Sequence, residues 1–562
     1  MRLLFWSRYT ILTLVVIGCV VFAALGATVS LAYLWGLLVF VPLAAVGCSD
    51  LAQTHHAILR NYPVIGHIRF LLEAIRPELR QYLIEDERDP VPFSREQRTL
   101  VYRRAKNIDD KQPFGTVRDV NAPTHGWINH SMLPVAIPDT DFRVLIGGPD
   151  CSHPYSASII NISGTSFGAV SGNAIMALNK GAKLGGFAHN TGEGSISPYH
   201  RRHGGDIIWQ VASGYFGCRT PEGRFDPDAF ARQAASDQVK MIEIKLSQGA
   251  KPGHGGVLPK AKITEEIAQT RGVPRDRDCI SPVRHSEFST PLELMGFIAR
   301  LRELSGGKPI GLKMCVGHRY EFMGLAKAMI ETGIAPDFIT IDGAEGGTGA
   351  APLELINNVG MPMVDAIAFA QNTLVGAGVR HKIRLACSGK IVSAYDVCRA
   401  FALGADYVNI ARGFMFSVGC IQARTCHTNQ CPTGVATQSQ WRQRALVVDD
   451  KAARVANFHH NTLHAVAEVV GAAGLYHPED LRPHHLHMRG PGGMVSRADR
   501  LYDWLPEGSL LDGTADKPMR NEWARAQAAA FAPTDPNLEA RPAPEAARMW
   551  PSEAAPAFPS EH

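Results

Sequence analysis

The chain is poor in cysteine and nearly without net charge. Eleven cysteines among 562 residues are too sparse for a secreted disulfide framework. With 57 basic against 53 acidic residues the formal net charge is +4, which excludes a partner held by bulk electrostatics, nucleic acid above all. A dinucleotide fingerprint is missing as well. Ser163-Gly164-Thr165-Ser166-Phe167-Gly168 does not have the glycine spacing that a nicotinamide fold needs at its first strand–helix turn. With 45% hydrophobic residues the chain is not disordered as a whole.

Charge vanishes completely from Tyr9 to Ser49, a run of 41 residues. One bilayer crossing takes about 20 apolar residues, so this length predicts two helices with a turn near Gly26–Ser30, the alternative being a single tilted span followed by an interfacial helix. The run is too long for the apolar core of a cleaved signal peptide. Arg2 and Arg8 precede the run, and Arg60, Arg69, Arg76 and Arg80 follow it. Positive charge on both flanks places both ends in the cytoplasm. The expectation is a multi-pass membrane protein of two helices with its soluble bulk cytoplasmic. Four segments follow: a hairpin at 1–49, a polar connecting segment at 50–140, a main domain at 141–490 and an extension at 491–562. HIRFLLEAIRPELRQYLI in the connecting segment has helical periodicity, and the segment is expected to pack on the main domain. From about 515 the Ala-, Pro- and Glu-rich tail is expected to be disordered.

Between 158 and 413, short apolar β-branched runs alternate with helical patterns. Strands are expected at 158–163, 185–190, 206–213, 241–247, 309–316, 337–343, 383–389 and 407–413. Amphipathic stretches such as TPLELMGFIARLREL and SAYDVCRAFALGA separate most of them. Eight strands with intervening helices predict an α/β fold, a (β/α)8 (TIM) barrel. Its active site belongs at the C-terminal strand ends.

Those ends carry polar groups in a pattern. The fourth strand runs into Lys245, Gln248 and Lys251, two cations and an amide suited to a dicarboxylate. The second ends at Asn190, with Glu193 on a glycine-rich loop where a carboxylate can move protons. The sixth ends in Asp342-Gly343-Ala344-Glu345-Gly346-Gly347-Thr348-Gly349, the seventh in Ser388-Gly389-Lys390 and the eighth in Ala411-Arg412. Glycine loops expose backbone N–H groups to anions, and barrels bind phosphate after strands seven and eight. A phosphorylated cofactor at this rim is the expectation.

Past the eighth strand lie Cys420, Cys426 and Cys431, three thiols within 12 residues of a loop low in apolar side chains. Such clusters bind iron–sulfur or zinc. Three thiolates suit a 3Fe–4S cluster, zinc would want His427 as a fourth ligand, and structural thiols are the third possibility. Cys151, Cys218, Cys279, Cys315, Cys387 and Cys398 lie in apolar runs and read as small buried residues. The pairs His459-His460 and His484-His485 read as structural or surface groups.

NTGEG at 190–194, QVASGYFG at 210–217, KLSQGAKPGHGG at 245–256, DGAEGGTGA at 342–350 and CIQARTCHTNQCPTGVATQ at 420–438 resemble, in the same order, the FMN and iron–sulfur synthase domain of glutamate synthase. The likeness runs from about 140 to 490, and the chain looks like the stand-alone, membrane-anchored relatives. The resemblance implies FMN and a 3Fe–4S cluster, with Cys420, Cys426 and Cys431 as the ligands. It implies that Lys245, Gln248, Lys251 and Arg271 bind 2-oxoglutarate, with Glu193 and Lys251 at the catalytic pocket. Ser166, Asn190, Gln210, Lys313, Asp342, Gly346, Gly347, Thr348, Gly349, Ser388, Gly389, Lys390, Ala411 and Arg412 fall at cofactor positions. His254 and Ser195 stand where that family commonly has other residues. No amidotransferase segment precedes the barrel in this sequence, so the resemblance implies ammonia, free or from a separate amidotransferase subunit, and electrons from ferredoxin or another redox subunit. Two other readings stay open, a transferase-type subunit joining glutamate and an amine, and a membrane-tethered electron-transfer protein.

Overall fold

The computed structural model describes residues 8–86 and 92–534; Arg2 and the tail from 535 lie outside them. The chain divides into two units, 1–95 and 96–562.

In the first unit, α1 (Thr10–Thr28) and α2 (Leu37–Ala52) form a hairpin joined through a short 3-10 turn at Leu31–Gly36. The turn begins one residue after the expected Gly26–Ser30, and Ser30 Oγ accepts the Ala32 N–H at 3.3 Å. The two helices touch through small residues. A Cβ on Gly18 would lie 2.4 Å from the Phe40 ring, so only glycine permits this approach, as at packed apolar helix pairs. Outward-facing Leu14, Val20, Leu38 and Val41 are exposed. Next comes α3 (Gly66–Leu79), continued by one wider turn at Arg80–Ile84.

The second unit opens with α4 (Arg95–Ala105), whose main part begins at its second residue and which buries Arg98, Val101 and Arg104. The charged sequence there gives no amphipathic warning of a helix. The barrel strands are β1 (Ile160–Ile162), β2 (His189–Asn190), β3 (Ile207–Val211), β4 (Val239–Lys245), β5 (Ile310–Met314), β6 (Phe338–Asp342), β7 (Arg384–Ser388) and β8 (Tyr407–Ile410). They pair in chain order, all parallel, and β8 closes on β1. Every expected strand is present, each shorter than its apolar run except β4, which starts two residues earlier. β2 shrinks to two residues.

Helices follow the strands where the pattern placed them: α5 (Gly172–Gly185), α6 (Pro291–Leu304), α7 (Arg319–Thr332), α8 (Met363–Gly376) and α9 (Ala394–Ala402). Local chemistry sets their starts. Thr290 and Glu293 form a capping box on α6 with Pro291 at its first position, and Ser393 and Asp396 do the same for α9. After the cysteine loop, α10 (Val448–Ala472) lies along α5. Its His459 is buried, hydrogen-bonded to Ser158 Oγ at 2.9 Å and stacked on Phe187, a structural role as expected.

The segment after 515 departs from the expectation. Asp516 caps α11 (Lys517–Arg525), which packs on α7. Lys327 donates to the Ala526 carbonyl at 2.8 Å and lies over the Trp523 ring. Apolar burial is modest here, and a cation–π contact and a carbonyl anchor fix the helix instead.

Candidate active site at the barrel mouth

Side chains alternate along a strand, so Glu243 and Lys245 share the inward face of β4 while Ile242 and Ile244 face the helices. Lys245 Nζ reaches Glu193 Oε2 at 2.8 Å and Gln248 Oε1 at 2.5 Å. Gln248 Nε2 lies 3.5 Å from the Gly347 carbonyl, and Lys251 Nζ donates to the Ala350 carbonyl at 3.3 Å. The loops after β4 and β6 are thus joined.

Arg271, at the end of the short helix Glu265–Arg271, folds back into the same place. It is 3% exposed, donates from Nη2 to the Phe167 carbonyl at 2.8 Å and stacks over Phe216 at 5.3 Å. Its buried Nε has no hydrogen-bond partner. Lys245, Lys251 and Arg271 place three positive charges around the single carboxylate of Glu193, an excess of two. A dicarboxylate carries that charge with opposite sign, and the orphaned guanidinium N–H is a donor awaiting an acceptor.

Glu193 lies not on a mobile loop but in a buried turn, Gly192–Gly194. A Cβ on Gly256 would sit 1.9 Å from Glu193 Oε1, so glycine is required for the carboxylate to fit. Burial raises the Glu193 pKa, yet Lys245, Lys251 and Arg271 outweigh burial and bring it to about 2. At neutral pH it is a carboxylate, able to accept a proton or orient Lys245 but unsuited to donate one. Lys251 goes down from its usual value, through burial first and then Lys245 and Arg271, against Glu193.

Beneath the mouth lies a polar layer whose centre, Glu243, sequence reasoning missed, although Asn190, Gln210, Lys313, Asp342 and Ser388 within it were expected at cofactor positions. Fully buried Glu243 accepts from Asn190 Nδ2 at 2.8 Å, Gln210 Nε2 at 2.6 Å and Thr340 Oγ1 at 3.0 Å. The signal was present in the strand, where Glu243 and Lys245 alternate with isoleucines. Asn190 Oδ1 accepts the Gly192 N–H at 2.9 Å, so both ends of that amide serve the frame. Asp342 accepts from Ser388 Oγ at 2.5 Å and from the Gly249 N–H at 2.9 Å, and lies 3.6 Å from Lys313 Nζ. Burial would lower Lys313, but Asp342 and Glu243 more than offset it and keep the ammonium charged.

At the rim expected to take phosphate, a Cβ on Gly347 would come within 2.9 Å of Arg412 Nε. Only glycine lets the loop run so close to that guanidinium. Arg412 follows Ala411 at the end of β8 and donates to the Glu345 carbonyl at 2.5 Å. Burial lowers it to about 10 against the pull of Asp342 and Glu345. Gly346 abuts Asp342, while Gly349 has open space where a Cβ would point. Thr348 Oγ1 bonds the Ala350 carbonyl. Gly389 and Lys390 both have positive φ, 142° and 49°, and for lysine this is a strained conformation of the kind found at ligand sites. Ser166 backs onto the Gly192–Gly194 turn. Close glycine backbone, a buried guanidinium and a half-buried lysine make an anion-compatible rim, so the residues fit a phosphate-bearing cofactor.

The three cysteines are unpaired, with Cys431 buried and Cys420 and Cys426 half-buried. Burial pushes the Cys420 thiol up to about 12, with Cys426 and Cys431 adding to the rise. At Cys431 burial is outweighed by the Thr433 hydroxyl and backbone N–H groups, and the pKa falls. Among the described residues no three His, Cys, Asp or Glu side chains converge on one metal ion, and this holds for the three cysteines as it does for a set completed by His427. By donor chemistry alone, three thiols in one loop are of the kind that iron–sulfur clusters use. Lys262, which the sequence did not announce, ties this loop to the barrel. Its Nζ donates to the carbonyls of Ala169 at 2.7 Å, Cys426 at 3.1 Å and Ala436 at 3.5 Å. From α4, Tyr102 donates to the Cys420 carbonyl at 2.7 Å.

Comparison with known proteins now decides the family. The family model described as a conserved region in glutamate synthase matches residues 152–476. The chain is 38% identical over 502 residues to the glutamate synthase large subunit-like protein YerD of Bacillus subtilis, covering 82% of this chain and 95% of that one. The chain belongs to the glutamate synthase family. An archaeal-type glutamate synthase [NADPH] of Thermotoga neapolitana is 36% identical over 58% of this chain and 61% of its own length. The archaeal glutamate synthase [NADPH] of Archaeoglobus fulgidus is 35% identical over 64% of this chain and 65% of its own. Among solved structures a mandelate oxidase, 15% identical over 65% of this chain and 86% of that one at a TM-score of 0.38, is too distant to bear on function. As a member of this glutamate synthase family the chain is an oxidoreductase with a closed (β/α)8 barrel.

Proposed function

We propose that this glutamate synthase family member reductively aminates 2-oxoglutarate to glutamate, using FMN, a 3Fe–4S cluster and ammonia that is free or delivered by a separate amidotransferase subunit. The observation that carries the reading is the buried Nε of Arg271, unpartnered beside two lysines and one carboxylate.

The chain's own groups divide the work. Arg271 and Lys251 hold the two carboxylates of the 2-oxoacid, and Gln248 with Lys245 fixes the loop that frames them. Glu193, ionised, takes the proton that nitrogen loses as ammonia adds to the keto carbon and returns it to the hydroxyl, which leaves as water when the imine forms, and its pairing with Lys245 keeps it in place between turnovers. Arg412, Lys390 and the Gly346–Gly349 loop would hold the FMN phosphate, Ser388 and Ala411 the adjoining rim, and Gln210 and Lys313 the ring. Cys420, Cys426 and Cys431 would hold the cluster. When bound, FMN supplies hydride to the substrate's imine carbon and the cluster supplies electrons singly, drawn from ferredoxin or another redox subunit.

The hairpin of α1 and α2 anchors the chain in a membrane, with the barrel on the cytoplasmic side. Two features support this: mean hydropathies of 2.5 and 2.1 over the two spans, and apolar side chains exposed around both helices, unlike a core helix.

The test is direct. Protein purified anaerobically in detergent is given 2-oxoglutarate, ammonium and a chemical reductant. Glutamate should form, and Arg271→Ala should abolish it while the visible flavin spectrum persists. A reducible flavin with no glutamate formed, or an amine-substituted glutamate instead, overturns the reading.

A further inference from the structure

The apolar residues of the helix α3 fall on one stripe, and most of that stripe is exposed. At 100° per residue, Ile68, Leu71, Leu72, Ile75 and Leu79 occupy one arc about 100° wide. Their exposure is that of surface residues: 55% for Ile68, 60% for Leu71, 52% for Leu72 and 39% for Ile75. Leu83 and Ile84, in the turn that follows, are 77% and 75% exposed. Arg69, Arg76 and Arg80 all project from one flank of the stripe, within about 40° of each other, with Glu73 beside them at 2.9 Å from Arg69. Arg76 and Arg80 add two positive charges on that flank to the Arg69–Glu73 pair.

The position of α3 is set by the hairpin. Asp50, in the last turn of α2, is 4% exposed. Its carboxylate accepts the Val64 N–H at 2.9 Å and pairs with His67 Nε2 at 2.8 Å. The start of α3 is therefore fastened to the end of the second span, where a membrane-spanning helix leaves the hydrocarbon.

We propose that α3 lies in the interface of the bilayer that the hairpin crosses, with Ile68, Leu71, Leu72 and Ile75 among the acyl chains and Arg69, Arg76 and Arg80 on the phosphates of anionic lipids. The inference rests on the membrane reading above and extends it, because a hairpin alone does not require α3 to touch lipid. An apolar stripe of this width, a basic flank and a tether at the membrane surface are the features of a helix lying in the interfacial plane. Arginines along one flank lay their apolar stems over the stripe and keep their heads at phosphate level.

The full chain is reconstituted in phosphatidylcholine vesicles with and without phosphatidylglycerol, carrying the photo-crosslinker p-azidophenylalanine at position 20, 71 or 73. Crosslinks to lipid are expected from 20 and 71 but not from 73. The yield at 71 should rise at least threefold with phosphatidylglycerol, and Arg69→Gln, Arg76→Gln and Arg80→Gln together should remove that rise. Lipid crosslinks at 20 with none at 71, or crosslinks from 71 to protein, overturn this inference and leave the hairpin standing. No lipid crosslink at 20 overturns the membrane reading, and this inference with it.

Discussion

Lys245 closes on Glu193 across the barrel mouth at 2.8 Å, and the pairing has a signature in acid. The folded Glu193 has its pKa near 2, against 4.5 for the free side chain, because Lys245, Lys251 and Arg271 outweigh its burial. A depressed carboxylate contributes stability that is complete above about pH 4.5 and is lost as pH falls toward 2. At about 1.4 kcal/mol per pKa unit the contribution is on the order of 3 kcal/mol. Denaturant unfolding of the wild type should lose that much between those limits, in excess of Glu193→Gln. Parallel pH profiles for the two proteins would contradict the assignment.

Substrate binding should fail on the alkaline side. Lys251 holds a proton less firmly than a free lysine, chiefly from burial, and a neutral amine cannot hold a carboxylate. Affinity for 2-oxoglutarate is therefore highest while Lys251 is charged and falls as pH rises through its lowered pKa. Lys251→Arg should move that fall to higher pH, since a guanidinium keeps its charge. Lys251→Ala should weaken binding at neutral pH about 10- to 100-fold, as expected for one lost charge-assisted hydrogen bond. Calorimetric titration across pH 7 to 10 measures both, and an unshifted profile for Lys251→Arg removes Lys251 from the site.

Glu243 is the keystone of the polar layer. Replacing it with leucine strands the amides of Asn190 and Gln210 and the hydroxyl of Thr340, and removes one of the carboxylates that offset the burial of Lys313. Removing one member of a buried charged network costs about 3–5 kcal/mol. The expected result is a melting temperature several degrees lower for Glu243→Leu, with a smaller loss for Glu243→Gln, which keeps one acceptor. Equal melting temperatures for wild type and Glu243→Leu would show that the layer carries no strain-free advantage.

The barrel was legible because parallel strands buried on both faces read as short, largely apolar runs, and their order needs no long-range information. The cation set at the end of β4 was legible for a related reason, since strand ends are where a barrel exposes polar groups. Arg271, by contrast, reaches the pocket from an insertion after β4, and only the family resemblance pointed to it. Lys262 looks like any lysine in a loop until folding places three carbonyls around it. The helices α4 and α11 were invisible for another reason. Their sequences are charged and lack a clean apolar stripe, and they are held by buried arginines in one case and by Lys327 with Trp523 in the other. Periodicity reports burial of apolar faces, and neither helix depends on that.

Lys262 offers a last test, independent of any cofactor. Its ammonium joins the β1–α5 loop, at Ala169, to the cysteine loop at Cys426 and Ala436. Burial brings its pKa to about 8, with Cys426 and Cys431 pulling the other way. Lys262→Met keeps the apolar stem and removes the three donated hydrogen bonds, so the loop should open locally while the barrel stays folded. Arg424 is exposed within that loop, which makes trypsin a reporter. Metal-free Lys262→Met should be cut after Arg424 several-fold faster than wild type, with the global melting temperature nearly unchanged, and Lys262→Arg should recover part of the protection. Equal cleavage rates in wild type and Lys262→Met would mean that the loop is held by its own turns and by Tyr102, and that the ammonium does not fasten it.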